Sequence, residues 1–255
     1  VALDHTRILG PTITQIAQAK AGIIKNGTKQ VFLAPHQEKD TLTIIKAKAH
    51  QQRVGLTQAD AQSIVDGKAI LKVNHKIYKV PFNLLGTFQS ENLGTVVSVF
   101  NFLFQRRLVT SWQPLLSTLA TVKIAGRMQK IADHPSIILD GAHNPDAAKQ
   151  LTETISKFPR NKVIMVLGFL ADKNISQMVK IYQQMADKII ITTPNHPTRA
   201  LDVSELKSAL PQAIIADNPR KGLVMAKKIA EPNDLIIVTG SFYTIKDIEA
   251  SLDEK

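Results

Sequence analysis

The sequence predicts an α/β fold whose second half is a doubly wound parallel sheet. Three observations point there. From residue 136 onward, five short apolar segments alternate with helix-like ones. The apolar segments are rich in Ile and Val and nearly continuous in hydrophobicity, as strands buried on both faces are. Two of them end in polar clusters, Asp140-Gly141-Ala142-His143-Asn144 and Thr239-Gly240-Ser241. Sheets of this class bind ligands beyond the carboxyl ends of their strands.

Taken in order, the predicted strands are 136–139, 162–167, 188–192, 213–216 and 234–238. The predicted helices are 145–157, 175–185, 203–209, 219–230 and 242–252. Strict alternation of the two implies parallel strands joined by right-handed crossovers. The first half is less regular. Ile13, Ile16, Ala17 and Lys20 share one helical stripe, 30–33 reads as a strand and 41–50 as a helix. Residues 69–80 alternate around Asn74-His75 as a hairpin does. Residues 92–104 form a further helical pattern, with Asn92 as its expected N-cap. The expected domains are 1–124 and 125–255.

Composition narrows the function. With 44% hydrophobic residues the chain can bury a core. Cysteine is absent, which excludes disulfides and thiol chemistry and suits a cytoplasmic location. No apolar run reaches the roughly 18 residues of a membrane span. The net charge of +11 suits anionic partners such as nucleotides. The basic residues are scattered and aromatics are 5%, so no nucleic-acid partner is expected. The chain opens within an apolar segment running into Leu3-Asp4-His5, so an upstream part is expected.

Residues with chemistry fall in four places. Gly22 and Gly27 have P-loop spacing, but the motif follows a helix and ends Thr28-Lys29, so it reads as a turn with Gly27 at positive φ. His5 and Lys20 are open to two readings, a cap with a snorkelling lysine or a metal-binding imidazole with a lysine that takes up CO2. Gln89 and Asn92 are amides at a helix entry, fit either for capping or for adenine and ribose. Asn144-Pro145 is a helix start, which leaves Asp140 and His143 unexplained. Arg127, 13 residues before Asp140, joins them as a candidate for triphosphate and ribose.

Together, "LDHTRILGPTITQIAQAKAGIIK" (3–25), Gly86-x-x-Gln89-x-x-Asn92, "GRMQKI" (126–131), "DGAHNP" (140–145), "NHPTRAL" (195–201) and "VTGSFY" (238–243) resemble the folylpolyglutamate synthase/dihydrofolate synthase family, relatives of the Mur ligases. Phe88 departs from the histidine that many relatives carry before the Gln. The resemblance implies the rear part of a P-loop-type ATPase domain followed by a Rossmann-like C-terminal, glutamate ligase domain. It implies an ATP-dependent ligase that phosphorylates the γ-carboxylate of folate, with dihydropteroate as an alternative acceptor, and couples it to L-glutamate. By the same resemblance His5 holds Mg2+, and Lys20, carbamylated, is catalytic beside His143. Gln89, Asn92, Arg127, Asp140 and Asn144 bind ATP, while Arg199 and Ser241 hold glutamate. A monomer is expected, inactive without the P-loop, in which Asp140 serves ATP use far more than folding. The alternatives are a Mur-type ligase acting on a UDP-linked precursor and a non-catalytic nucleotide-binding module.

Overall fold

The structure is a computed structural model that describes residues 6–73 and 75–252. It divides into two compact units. One comprises residues up to 83 together with 88–122; the other comprises 84–87 and the chain from 123 onward. The short segment 84–87 joins the second unit, where the Thr87 amide donates to Thr154 Oγ1 at 3.3 Å.

The first unit contains α1 (Thr6–Leu9), α2 (Ile13–Ala21), β1 (Val31–Leu33), α3 (Lys39–Gln51), β2 (Leu56–Gln58), β3 (Ser63–Val65), β4 (Lys68–Val73), β5 (Lys76–Pro81), α4 (Gln89–Gln105) and α5 (Gln113–Thr121). Its strands make a parallel pair, β1-β2, and an antiparallel sheet in the order β3-β4-β5. A small core gathers Ala21, Ile24, Leu33 and Ile45. Trp112 anchors a second cluster, stacked on Tyr78 with ring centroids 6.0 Å apart and flanked by Phe100 and Phe104. Helix α4 approaches the chain at Asp60 closely enough that a Cβ on Gly94 would lie 2.2 Å from the Asp60 carbonyl oxygen.

Two expectations change here, and two hold. Lys20 is exposed, while the buried residues of α2 are Ile16, Ala17 and Ala21. Seven positions after Ile13, Lys20 points the same way, and Ile13 stands at the margin of the stripe, only half-buried. Helix α4 begins at Gln89, a turn earlier than expected, so Asn92 is not its N-cap but lies inside the first turn. The hairpin at 69–80 forms as β4 and β5, with His75 at φ 64 in its turn; Asn74 lies outside the described residues. Gly27 has the positive φ its turn requires, 90°.

The second unit runs β6 (Gln129–Asp133), β7 (Ser136–Leu139), α6 (Pro145–Ser156), β8 (Val163–Leu167), α7 (Ile175–Gln183), β9 (Lys188–Thr192), α8 (Val203–Ala209), β10 (Ile214–Ala216), α9 (Pro219–Ile229), β11 (Leu235–Thr239) and α10 (Phe242–Leu252). One sheet holds all six strands in the order β10-β9-β8-β11-β7-β6. Five are mutually parallel, and β6 pairs antiparallel to β7 at the edge. Ile137, Leu139, Ile164, Val166, Ile236 and Val238 bury one face of the sheet under Leu223, Ala226, Ile245 and Ile248 of α9 and α10. The alternate side chains, Ile138, Met165 and Ile237, are buried on the other face, the side to which right-handed crossovers bring α6, α7 and α8.

The helices start where the sequence supplies caps. The side chains of Asn144, Asn174, Asp202 and Asn218 accept from amides of the first turns of α6, α7, α8 and α9. Each satisfies one of the donors a helix start leaves unpaired. Among the described residues no helix is long and apolar enough to cross a membrane.

Candidate active site

The carboxyl edge of β7 and β11 gathers most of the second unit's candidate residues. Parallel pairing of Leu139 with Val238 brings the two polar loops side by side. Asp140 continues the ladder, its amide donating to the Val238 carbonyl at 3.0 Å.

Asp140 itself is buried. Oδ2 accepts from the Met128 amide and Oδ1 from the Ala142 amide, both at 2.9 Å. These bonds tie the loop after β7 to the turn before β6. That turn is strained, with Gly126 at φ 61 and Met128, a residue with a Cβ, at φ 46. Non-glycine residues hold such a φ only when their surroundings enforce it. Here the enforcement comes from the carboxylate on the Met128 amide, from Gln129 Oε1 accepting the Gly126 amide at 2.7 Å, and from the Gly126 carbonyl accepting the Gly141 amide at 2.8 Å. Burial raises the Asp140 carboxyl above the ordinary range; the two amides, Arg127 and His143 oppose the rise without cancelling it.

The turn carries Arg127 outward. Its guanidinium carbon lies 4.8 Å from the centroid of the Phe242 ring, a cation–π contact. His143 approaches the same ring at 6.1 Å. The ring lies directly over Gly141, where a Cβ would come within 2.5 Å of it. Only glycine allows that seat. Phe242 is thus the centre of a small shelf, 39% exposed, with Arg127 and His143 around it. It has no role in the sequence reading; the available signal was a large aromatic directly after the Thr-Gly-Ser strand end.

His143 Nδ1 lies 2.8 Å from the Gly141 carbonyl, which can only accept. The neutral ring therefore carries its proton on Nδ1, and Nε2 is its acceptor atom. Asn144 caps α6, accepting from the Ala147 amide at 2.8 Å, with Pro145 at the first helical position.

The remaining predicted residues are engaged with other partners. Ser241 is buried, and its Oγ accepts the Thr244 amide at 3.1 Å and meets Thr244 Oγ1 at 2.8 Å. Its hydroxyl is engaged at the start of α10. Arg199 grips Asp172, with Nη2 2.9 and 2.8 Å from the two carboxylate oxygens. Desolvation raises the Asp172 carboxyl, but the Arg199 bonds and charge outweigh it and hold the group below its ordinary range. In the first unit Gln89 is buried, and its Oε1 accepts from Asn92 Nδ2 at 3.1 Å. His5 lies outside the described residues. Among the described residues no three His, Asp or Glu gather as a metal cage.

The sequence was compared with known proteins. Residues 126–242 match the family model "Mur ligase, glutamate ligase domain". Along 98% of its length the chain is 28% identical to the dihydrofolate synthase/folylpolyglutamate synthase of Bacillus subtilis. End to end, the chain is similar to folylpolyglutamate synthase/dihydrofolate synthases. Escherichia coli FolC, solved in complex with DHPP and ADP, superposes on all of this chain with a TM-score of 0.85 at 25% identity. The bifunctional folylpolyglutamate synthase/dihydrofolate synthase of Yersinia pestis, complexed with AMPPNP and Mn ion, covers 99% of it with a TM-score of 0.84 at 25% identity. The chain spans about 60% of the length of each of these three relatives.

Proposed function

We propose that this chain serves an ATP-dependent ligase that adds L-glutamate to the γ-carboxylate of folate, with dihydropteroate as an alternative acceptor. The observation that carries the reading is the end-to-end match, in sequence and fold, to dihydrofolate synthase/folylpolyglutamate synthases. The shelf at the sheet edge agrees with it. Arg127, braced on Phe242 and turned outward by a rigid turn, offers a cation to phosphate oxygens. Asp140 supports that arginine by shaping its turn. His143, with Nε2 as acceptor, is suited to take the proton that the glutamate amine loses as it attacks an acyl phosphate. Asn144 holds the loop onto α6.

The other assignments follow the family's pattern. Gln89 and Asn92 serve adenine, while Arg199 and Ser241 shape the glutamate side through the Asp172 pair and the α10 cap. A Mg2+ held by nucleotide phosphates and water, with His5 as a protein ligand, follows the same pattern. Such an ion offsets phosphate charge in the transferred group. Lys20 stands exposed on α2, and its carbamylation is proposed from the family's pattern alone.

The test is ADP release that requires L-glutamate. It compares the 255-residue chain with a chimera in which the part of the Bacillus subtilis relative that it does not match is joined upstream. The expected result is release by the chimera with reduced folate or dihydropteroate, and none by the chain alone. Release with a UDP-linked acceptor and not with folates favours the Mur-type alternative, and nucleotide binding without any release favours the non-catalytic module.

A further inference from the structure

Two buried hydroxyls stand beneath the Asp140 turn with no role in what precedes. Side chains alternate along a strand. Ile137, Leu139, Ile236 and Val238 face α9 and α10, so Asp140 and Thr239, each one place further on, face the opposite side. Because Leu139 pairs with Val238, Thr239 is the register neighbour of Asp140. From α7, Tyr182 brings its hydroxyl toward the same place, facing Thr239 and within the field of Asp140. Its ring is fixed against Phe169, with centroids 6.4 Å apart.

Tyr182 and Thr239 are both fully buried. Among the described residues neither hydroxyl oxygen is in hydrogen-bond geometry with a partner. Burying a hydroxyl without a bond is unfavourable, and Phe and Val would fill the same space without that cost. The polar atoms therefore call for a polar reason, and the carboxylate next to them supplies one. A carboxylate has about four acceptor sites, and the Met128 and Ala142 amides occupy two. A further acceptor site of the carboxylate is thus open to a donor arriving from Thr239, its register neighbour, which Tyr182 faces from α7.

We propose that Tyr182 and Thr239 are positioning residues for Asp140: their hydroxyls form a donor chain that supports its charged form within the domain and so keeps the Gly126–Met128 turn, with Arg127, in place. The other charged or titratable groups facing Asp140 are Arg127 on that turn and His143 in the loop after β7. The consequence for catalysis rests on the ligase reading; the donor chain itself does not, and its test uses no substrate.

The test follows Asp140 by carboxyl 13C NMR in the 255-residue chain labelled at aspartate, its resonance assigned by its loss in Asp140→Asn. Removing a donor from a carboxylate raises its titration midpoint, by about one unit for a bond of ordinary charge-assisted strength. Thr239→Val, which removes the donor to the carboxylate, is expected to show that rise, Tyr182→Phe, one step further along the chain, a smaller rise, and Thr239→Ser, which keeps the hydroxyl, to titrate as wild type. Asp172, on its own arginine, serves as the internal reference and is expected to stay unmoved. An unchanged or lowered Asp140 midpoint in Tyr182→Phe overturns the proposal. That variant only removes one oxygen from an intact ring site, so its result stands even where Thr239→Val disturbs folding. Failure of the ligase reading would leave these midpoints untouched.

Discussion

Asp140 and Asp172 follow neighbouring parts of the same sheet, and each has an arginine in its surroundings, yet they do opposite work. Asp140 is buried and bonds backbone; its arginine is turned away onto an aromatic ring. Asp172 is partly exposed and bonds its arginine directly, oxygen by oxygen. The first shapes the chain so that a cation is presented outward. The second engages a cation and pins the loop after β9 to the loop after β8. Proximity of an Asp and an Arg therefore says little about which of them faces a ligand. What decides is whether the carboxylate has amide donors closer to hand.

Substitutions can break this contrast. Asp140→Ala strands two buried amides and removes what holds Met128 at positive φ, so the second unit is expected to lose about 3 kcal/mol in urea unfolding followed by circular dichroism. This revises the expectation that Asp140 matters far more to ATP use than to folding, and a loss near zero would restore it. Gly141→Ala drives a methyl into the Phe242 ring and is expected to cost about 2 kcal/mol. It should also displace Arg127 from the ring, seen as a shift of its Hε resonance. Asn144→Ala removes one cap of α6, at about 1 kcal/mol in the same unfolding assay. Asp172→Asn is expected to cost less than about 1 kcal/mol, because the pair is partly exposed and screened.

The pH dependence sharpens the same contrast, since the two groups carry opposite signs. The folded carboxyl of Asp172 lies below its ordinary value of 3.8, so its contribution is present above that value and lost as pH falls through the lower, folded one. The carboxyl of Asp140 lies above 3.8, so the fold retains its proton longer than the unfolded chain, and stability declines as pH rises from 3.8 through the folded value. Unfolding across the acid range should show wild type gaining on Asp172→Asn with rising pH and losing ground to Asp140→Asn. The same slope in both comparisons would erase the distinction.

The two units differ in how far they could be read in advance. In the second, strands 136–139 and 188–192 and helices 203–209 and 242–252 fall where hydrophobic runs and polar breaks put them. Strands buried on both faces leave an unbroken apolar signal, and Asn or Asp caps mark the helix starts. The exception is β6, an edge strand with only Ile131-Ala132 apolar between polar residues, which only pairing with β7 reveals. In the first unit the strands are three to six residues long and half-exposed, so periodicity is weak. One signal there went unread. Asp66-Gly67, both at positive φ, close a two-residue turn between β3 and β4, the sequence pattern most diagnostic of a hairpin.

By itself the sequence determined the alternation of the second unit, the cap at Asn144 and the family resemblance, because each rests on local order: a run of apolar residues, a side chain three places from the amide it bonds, a motif read along the chain. Only the tertiary structure decided the role of Asp140, the seat of Phe242 over Gly141 and the exposure of Lys20. Those depend on partners 12 to over 100 positions away, or on which side of a helix the rest of its unit happens to cover, and no spacing within a motif carries that information.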